Sequence, residues 1–208
     1  MYLGIDVGAT KTLLAVFEPS GEMVCEKKLK TNQDYEQFKA EIAGCLKELS
    51  QFEFSHACCA VPGWIDFKYG IAVSFGNLPW QDVRIKKDLE VLLPDSQILI
   101  HNDAKLAGLS EAKILHDKYK KVLYLTISTG IGGGIIIDDI IDPDFANFEP
   151  GQMQFEYNGK SQKWEAFASG KALHERTGKL AAELDDELAW KDFAGLIALG
   201  LEELFSLP

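Results

Sequence analysis

"LYLTISTGIGGGIIID", residues 123–138, sets two apolar, β-branched runs around a cluster of glycines. Glycine weakens a strand interior, because it costs backbone entropy and packs nothing. Gly130, Gly132, Gly133 and Gly134 nonetheless stand in what otherwise reads as buried sheet. The backbone there must be bent, closely approached, or both, and the stretch reads as a strand–glycine turn–strand hairpin. A weaker echo opens the chain, where "YLGIDV" (2–7) stops at Gly8 and "TLLAVFE" (12–18) follows. Turns of this kind gather backbone N–H groups into concavities that bind anions. Thr10, Thr12, Ser128 and Thr129 add hydroxyl donors, Lys11 adds positive charge, and Asp6 is suited to hold Mg²⁺ directly or through water. Two readings stay open at this point. The glycines serve only tight turns or bulges, or the paired turns hold phosphates with Mg²⁺. Neither hairpin matches GxxxxGK[ST] or GxGxxG in a strand-to-helix setting.

Outward from the first hairpin, "PSGE" is a turn by composition and "MVCEKKLK" returns as a third strand. In "DYEQFKAEIAGCLKELSQ" the residues Tyr35, Phe38, Ile42, Cys45, Leu46 and Leu49 keep helical spacing. "HACCAVPG" reads as a short buried strand, and "DFKYGIAVSFGNLPW" as loop with a short strand at 71–74. "DVRIKKDLEVLL" reads as a helix capped by Asp82 and closed before Pro94. "QILIHND" is a strand and "DAKLAGLSEAKIL" a helix. The second glycine hairpin is followed by a polar loop, "DPDFANFEPGQ", and by helical signals from Trp164, Lys171 and Trp190 onward. A meander followed by α/β alternation predicts mixed sheets flanked by helices, in two domains, 1–118 and 119–208.

The bulk numbers agree. With 208 residues, 47% hydrophobic and 25% charged, the chain reads as an ordinary soluble globular protein able to bury a real core. A net charge of -11 argues against nucleic acid and anionic membranes, which both want a basic surface. No signal pattern precedes the first strand, and no apolar run reaches membrane-span length. Cys25, Cys45, Cys58 and Cys59 form no CxxC pair and read as buried, reduced thiols of a cytoplasmic protein.

At the level of motifs, "GIDVGATKT" resembles the first phosphate motif of the ROK family of sugar kinases, within the hexokinase/actin-like superfamily. "VPGWID", "NLPW", "HNDAKLAGLSEA", "ISTGIGGGI", "EPGQM" and "WEAFASG" resemble further motifs of that family, in order along essentially the whole chain. The resemblance implies a two-domain actin-like, ribonuclease H-like α/β fold and ATP-dependent, glucokinase-like phosphorylation of a hexose or related sugar. It implies that Asp103 is the general base, taking the proton of a sugar hydroxyl; helix N-cap is the competing structural role. Asn102, Glu149 and Glu165 would orient sugar hydroxyls, with Gly63 and Asn77 lining the same cleft. Asp6, Gly8, Ala9, Thr10, Lys11, Thr12, Ser128, Thr129, Gly130, Gly132 and Gly133 would hold MgATP. A homodimer is also implied.

Two departures from the family pattern stand out. Gln152 occupies the place of the family's histidine, and "MQFEYNGKSQK" contains no cysteine. The resemblance then implies no zinc, since a tetrahedral cage lacks its ligands, with Gln152 still able to bond a sugar hydroxyl. The family also continues after the last helix into a strand and a glycine-rich turn that contacts adenosine, so the second domain is expected to be incomplete. A noncatalytic sugar sensor or a decayed relative is the alternative. Regulators of the family carry an N-terminal helix-turn-helix, whereas here the first strand begins at Tyr2.

Overall fold

The computed structural model describes residues 1–206. It divides into two compact units, Met1–Leu106 and Ala107–Pro208.

In the first unit, β1 (Tyr2–Val7), β2 (Lys11–Phe17), β3 (Met23–Lys30), β4 (His56–Val61) and, after three short strands, β8 (Gln97–Asn102) form a sheet in the order β3-β2-β1-β4-β8. The β1–β2 and β2–β3 pairs are antiparallel, and β1–β4 and β4–β8 parallel. Strict alternation puts Leu3, Ile5, Val7, Leu14 and Val16 on one face. There they meet Phe38, Ile42 and Leu46 of α1 (Tyr35–Glu48) and Ile85 and Leu89 of α2 (Ile85–Leu92). Asp34 caps α1, its Oδ1 accepting the Gln37 N–H at 3.0 Å. The opposite face carries Gly4, Asp6, Leu13, Ala15 and Phe17 and holds an apolar groove of about 270 Å³ closed by Leu106.

Asp82 does not cap α2. It lies in β7 (Gln81–Val83) with φ 51°, and α2 begins after Arg84 with no side-chain cap bond. The cause is strand pairing. Together β5 (Trp64–Asp66), β6 (Ile71–Ser74) and β7 make a small antiparallel sheet, and the Ala72–Val83 and Ser74–Gln81 pairs draw residues 81–83 away from the helix. Of the cysteines, all free, only Cys59 is buried; Cys25, Cys45 and Cys58 are half-buried.

Helix α3 (Asp103–Leu115) carries the division between the units, at 106/107. Its first turn closes the groove of the first unit through Leu106. Gly108 instead backs onto Tyr124, where a Cβ would stand 2.8 Å from the Tyr124 Cβ.

In the second unit β9 (Lys121–Ile127), β10 (Ile131–Ile137) and β11 (Ile140–Ile141) form an antiparallel sheet. The segment 154–163, left without a reading between the polar loop and Trp164, is a hairpin of β12 (Gln154–Tyr157) and β13 (Lys160–Lys163). Asn158 and Gly159 both have positive φ, 52° and 71°, the arrangement that an Asn-Gly two-residue turn favours. The polar loop before it contains single 3₁₀ turns at Pro143–Phe145 and Pro150–Gln152. The core is Ile131, Trp164, Phe167, Ala168 and Leu204, contributed by β10, α4 (Trp164–Ala168) and α6 (Glu187–Phe205); α5 (Gly170–Thr177) buries Ala172 and Leu173. Trp164 is fully buried, and its Nε1 donates to the Leu196 carbonyl at 3.0 Å.

Candidate functional site

The first turn is held from one side. Gly8 N–H donates to the Lys11 carbonyl at 2.9 Å, and a Cβ on Gly8 would stand 2.9 Å from that same oxygen. The Thr31 hydroxyl donates to the Gly8 carbonyl at 2.7 Å, Thr31 N–H to the Thr10 carbonyl at 3.1 Å, and the Gln33 amide to the Ala9 carbonyl at 3.4 Å. The turn's carbonyls are thus bound into the protein, while among the described residues the N–H groups of Ala9 and Thr10 have no protein acceptor. That asymmetry leaves a concavity of donors, the physical requirement for an anion. Lys11 and Thr10 are exposed beside it. Thr12, expected among the phosphate donors, is fully buried with its hydroxyl 2.9 Å from that of Thr31. It braces the turn from within the fold.

The second turn is built differently. Ser128 N–H donates to the Gly130 carbonyl at 2.9 Å, and Ser128 and Thr129 are exposed. Gly132, Gly133 and Gly134, read from the sequence as part of a glycine turn, lie inside β10, paired with Thr126, Leu125 and Tyr124. A Cβ on Gly133 would stand 2.5 Å from the Tyr124 carbonyl and 3.1 Å from Pro150 Cγ. Its bareness therefore admits the neighbouring turn, a packing cause. Gly130 is bare for another reason: a Cβ there would meet Glu165 Oε2 at 2.6 Å.

Glu165, Gln152 and Gly130, assigned to different ligands by the sequence, thus come together in the second unit. The Gln152 Nε2 donates to Glu165 Oε1 at 2.5 Å, and Glu165 Oε2 accepts the Ile131 N–H at 3.4 Å. Gly151, not singled out in the sequence, completes the seat; a Cβ on it would stand 2.9 Å from Glu165 Oε2 and 2.4 Å from the Ile131 carbonyl. The signal was present in "EPGQ", where a buried glycine follows proline in a tight turn. Glu149 precedes this turn, its carbonyl accepting the Gln152 N–H at 3.0 Å.

In the first unit Asn102 is buried at the end of β8. Its Nδ2 donates to the Gly63 carbonyl at 3.1 Å and its Oδ1 accepts the Lys105 N–H at 3.2 Å. Asn102, rather than Asp103, therefore caps α3. Gly63 has φ 96°, and a Cβ would lie 2.0 Å from the Ser74 carbonyl, so only glycine fits. Asp103 is the first helical residue, half-buried. Its Oδ1 accepts the Ala104 N–H at 2.8 Å, and Oδ2 has no protein donor among the described residues. Asn77 is exposed in the loop before β7. His101, just before Asn102, was not foreseen as part of this region. Its ring lies 5.1 Å from that of Phe67, and burial, then the Lys105 charge, lowers its pKa.

Asp6 is exposed as a residue, but its carboxyl faces partly into the apolar groove. Burial first, and the Asp103 charge second, raise its pKa above 3.8. The ionised form is disfavoured in the fold, so the penalty appears as pH rises through the elevated pKa and is absent below 3.8. Asp6→Asn is therefore expected to raise the urea midpoint at pH 7.5, with the gain narrowing as the pH falls toward 3.8. Paired denaturation curves across that range check it. Among the described residues no group of three or more His, Cys, Asp or Glu is placed to hold a metal ion. Two neighbouring carboxylates do fit Mg²⁺, which commonly takes one or two plus phosphate oxygens and water. Among the described residues no helix is long and apolar enough to cross a membrane.

The chain is similar to the glucokinase of Halalkalibacterium halodurans, 33% identical over 146 residues, 65% of this chain and 43% of the relative. It is 30% identical over 165 residues to the N-acetyl-D-glucosamine kinase of Haemophilus influenzae, 76% of this chain and 54% of the relative. It thus spans about half the length of the curated relatives it matches. The ROK hexokinase of Thermus thermophilus superposes with a TM-score of 0.78 at 23% identity, covering 98% of this chain and 76% of that one, and so shares its actin-like α/β fold. The model of the ROK family itself matches residues 2–198, and with nearly its whole length accounted for, the chain belongs to the ROK family.

Proposed function

We propose that the protein transfers the γ-phosphoryl group of MgATP to a hydroxyl of a hexose or related sugar. The observation that carries the reading is Asp103: one carboxylate oxygen fixed by the first turn of α3, the other without a protein donor among the described residues, beside the raised-pKa Asp6. In this mechanism Asp103 accepts the proton of the sugar hydroxyl as that oxygen attacks phosphorus. Phosphoryl transfer depends mainly on positioning and charge, so the base needs no strongly raised pKa. Asp6 would hold Mg²⁺, directly or through water; the ion, when bound, neutralises charge on the phosphate oxygens.

The N–H groups of Ala9 and Thr10, with Lys11, Ser128 and Thr129, would bind the phosphates. Glu149, Gln152 and Glu165 would bind sugar hydroxyls, each carboxylate accepting directed O–H donors, with Asn102, Gly63 and Asn77 in support. The names of the two curated relatives, both sugar kinases, support the reaction class. The proposal includes the absence of structural zinc, a reducing, cytoplasmic setting for the four free cysteines, and pairing of two copies through exposed residues of α6 such as Leu188 and Phe205.

A coupled ADP-release assay with MgATP across glucose, mannose, fructose, N-acetylglucosamine and N-acetylmannosamine tests it. Stimulation by at least one sugar is expected; uniform silence would remove the kinase reading. Gln152→Ala removes one sugar contact of this proposal together with the bond that orients Glu165, and a hydrogen bond involving a charged group contributes roughly 1.5–3 kcal/mol. It is therefore expected to raise the sugar KM by about tenfold or more with kcat within about twofold, the pattern of lost uniform binding. Initial rates over a sugar titration decide it, and a change in kcat alone would contradict it.

A further inference from the structure

The register of the first sheet sets two lysines against each other. Lys11 of β2 is directly opposite Lys30 of β3, and Leu13 opposite Lys28. Like charges in directly opposed positions repel, so such a pair persists where something anionic compensates it or where solvent carries both heads. For the other lysines of β3 the compensation is local. Lys27 pairs with Glu48 of α1, and Lys28 with Glu26 at 2.9 Å. Lys11 and Lys30 have no acidic partner among the described residues, and both are exposed.

Edge-strand protection explains lysines on β3, which borders the sheet. It does not explain Lys11, which lies on the interior strand β2. The pair also has a defined place. Lys11 leaves the Gly8–Thr10 turn, and Lys30 is followed by Thr31, whose N–H and hydroxyl bind that turn's carbonyls. The two lysines thus leave the backbone at either end of the segment that holds the turn, where among the described residues the N–H groups of Ala9 and Thr10 have no protein acceptor. They belong to the sheet face that carries Asp6, since Asp6 is opposite Leu13, two residues from Lys11.

We propose that Lys30, with Lys11, forms a two-lysine clamp on a phosphate chain held at the first turn. Lys30 is a binding residue of the phosphoryl donor that no sequence motif indicates, because it comes from a different strand. Two cations spaced across a strand pair match a run of linked phosphates better than one phosphate group, since each lysine can meet a different phosphoryl unit. The identification of that chain with the triphosphate of ATP rests on the kinase reading; the clamp itself does not.

Calorimetric titration of the whole chain with MgATP and, separately, with sodium tripolyphosphate tests the clamp. Lys30→Met is expected to weaken both ligands about five- to tenfold and to flatten the dependence of affinity on salt. Lys30→Arg should stay within about twofold of the parent, as should Lys28→Met, which removes a paired lysine from the same sheet face. Parent-like binding by Lys30→Met, equal losses in Lys28→Met and Lys30→Met, or no binding of either ligand by the parent would each overturn the clamp. Lysine-dependent tripolyphosphate binding without sugar-stimulated ADP release would uphold the clamp and discard the kinase. Sugar-dependent turnover with an unchanged MgATP KM in Lys30→Met would do the reverse.

Discussion

Asp103→Asn is expected to lower sugar-dependent ADP release by about 10²- to 10⁴-fold, the usual worth of a positioned general base. The substitution is nearly isosteric, and the Asn side-chain oxygen can still accept the Ala104 N–H that Asp103 accepts at 2.8 Å. The cap of α3 belongs to Asn102, so the helix loses none of its anchoring. The melting temperature should therefore stay near that of the parent while kcat collapses. Sugar affinity, measured by calorimetry, should change by no more than about threefold, because the loss lies in the transition state. The variant also removes the charge that helps to raise the pKa of Asp6, so the Asp6 carboxyl should titrate at lower pH than in the parent. Carbon-13 detection of its carboxyl separates this electrostatic effect from the kinetic one. Near-parental turnover with a folded protein would remove Asp103 from the role of base.

Trp164→Ala should produce the largest loss of stability, about 3–5 kcal/mol. Trp164 is fully buried at the start of α4, and its indole N–H is bonded to the Leu196 carbonyl in α6. Truncation leaves a cavity and removes the indole N–H from the Leu196 carbonyl, which keeps its helical donor. A natural domain has roughly 5–15 kcal/mol in all, so the second unit would be close to unfolding. α6 approaches the indole through Gly200, where a Cβ would stand 2.0 Å from Trp164 Cε2. Gly200→Ala should itself cost about 1–3 kcal/mol by overpacking, and less in a Trp164→Phe background, where the six-membered part of the indole is gone. Urea curves followed by far-ultraviolet circular dichroism, arranged as a double-mutant cycle, measure that coupling. Additive losses would show that the two residues are independent.

Much of the architecture was legible because the periods were clean. Strands β1 to β3, helix α1 and the long α6 follow from alternation and helical spacing that nothing local contradicts. Asp82 misled because a polar residue before an apolar helix reads as a cap, whereas strand pairing of residues 81–83 is a tertiary fact. The β12–β13 hairpin did have a local signal, Asn158–Gly159, hidden by the polar residues on either side. Within the candidate site the first turn was readable as an anion concavity, yet the donor of its bracing bonds, Thr31, is twenty residues downstream of Lys11 and carries no motif. The glycines of β10 show the same limit. Their spacing announced a bare backbone, but only the folded chain distinguishes a surface awaiting a ligand from one filled by Pro150, as at Gly133.

Asn102 ends β8, starts α3 and tethers the Gly63 carbonyl with the same side chain. These three segments share one amide, so none can fray without releasing the others. Local opening of the Gly63 corner and of the first turn of α3 should then be a single cooperative event, with amide hydrogens on both sides exchanging at a common rate. The acid at position 103 thereby sits next to a residue bonded to both segments.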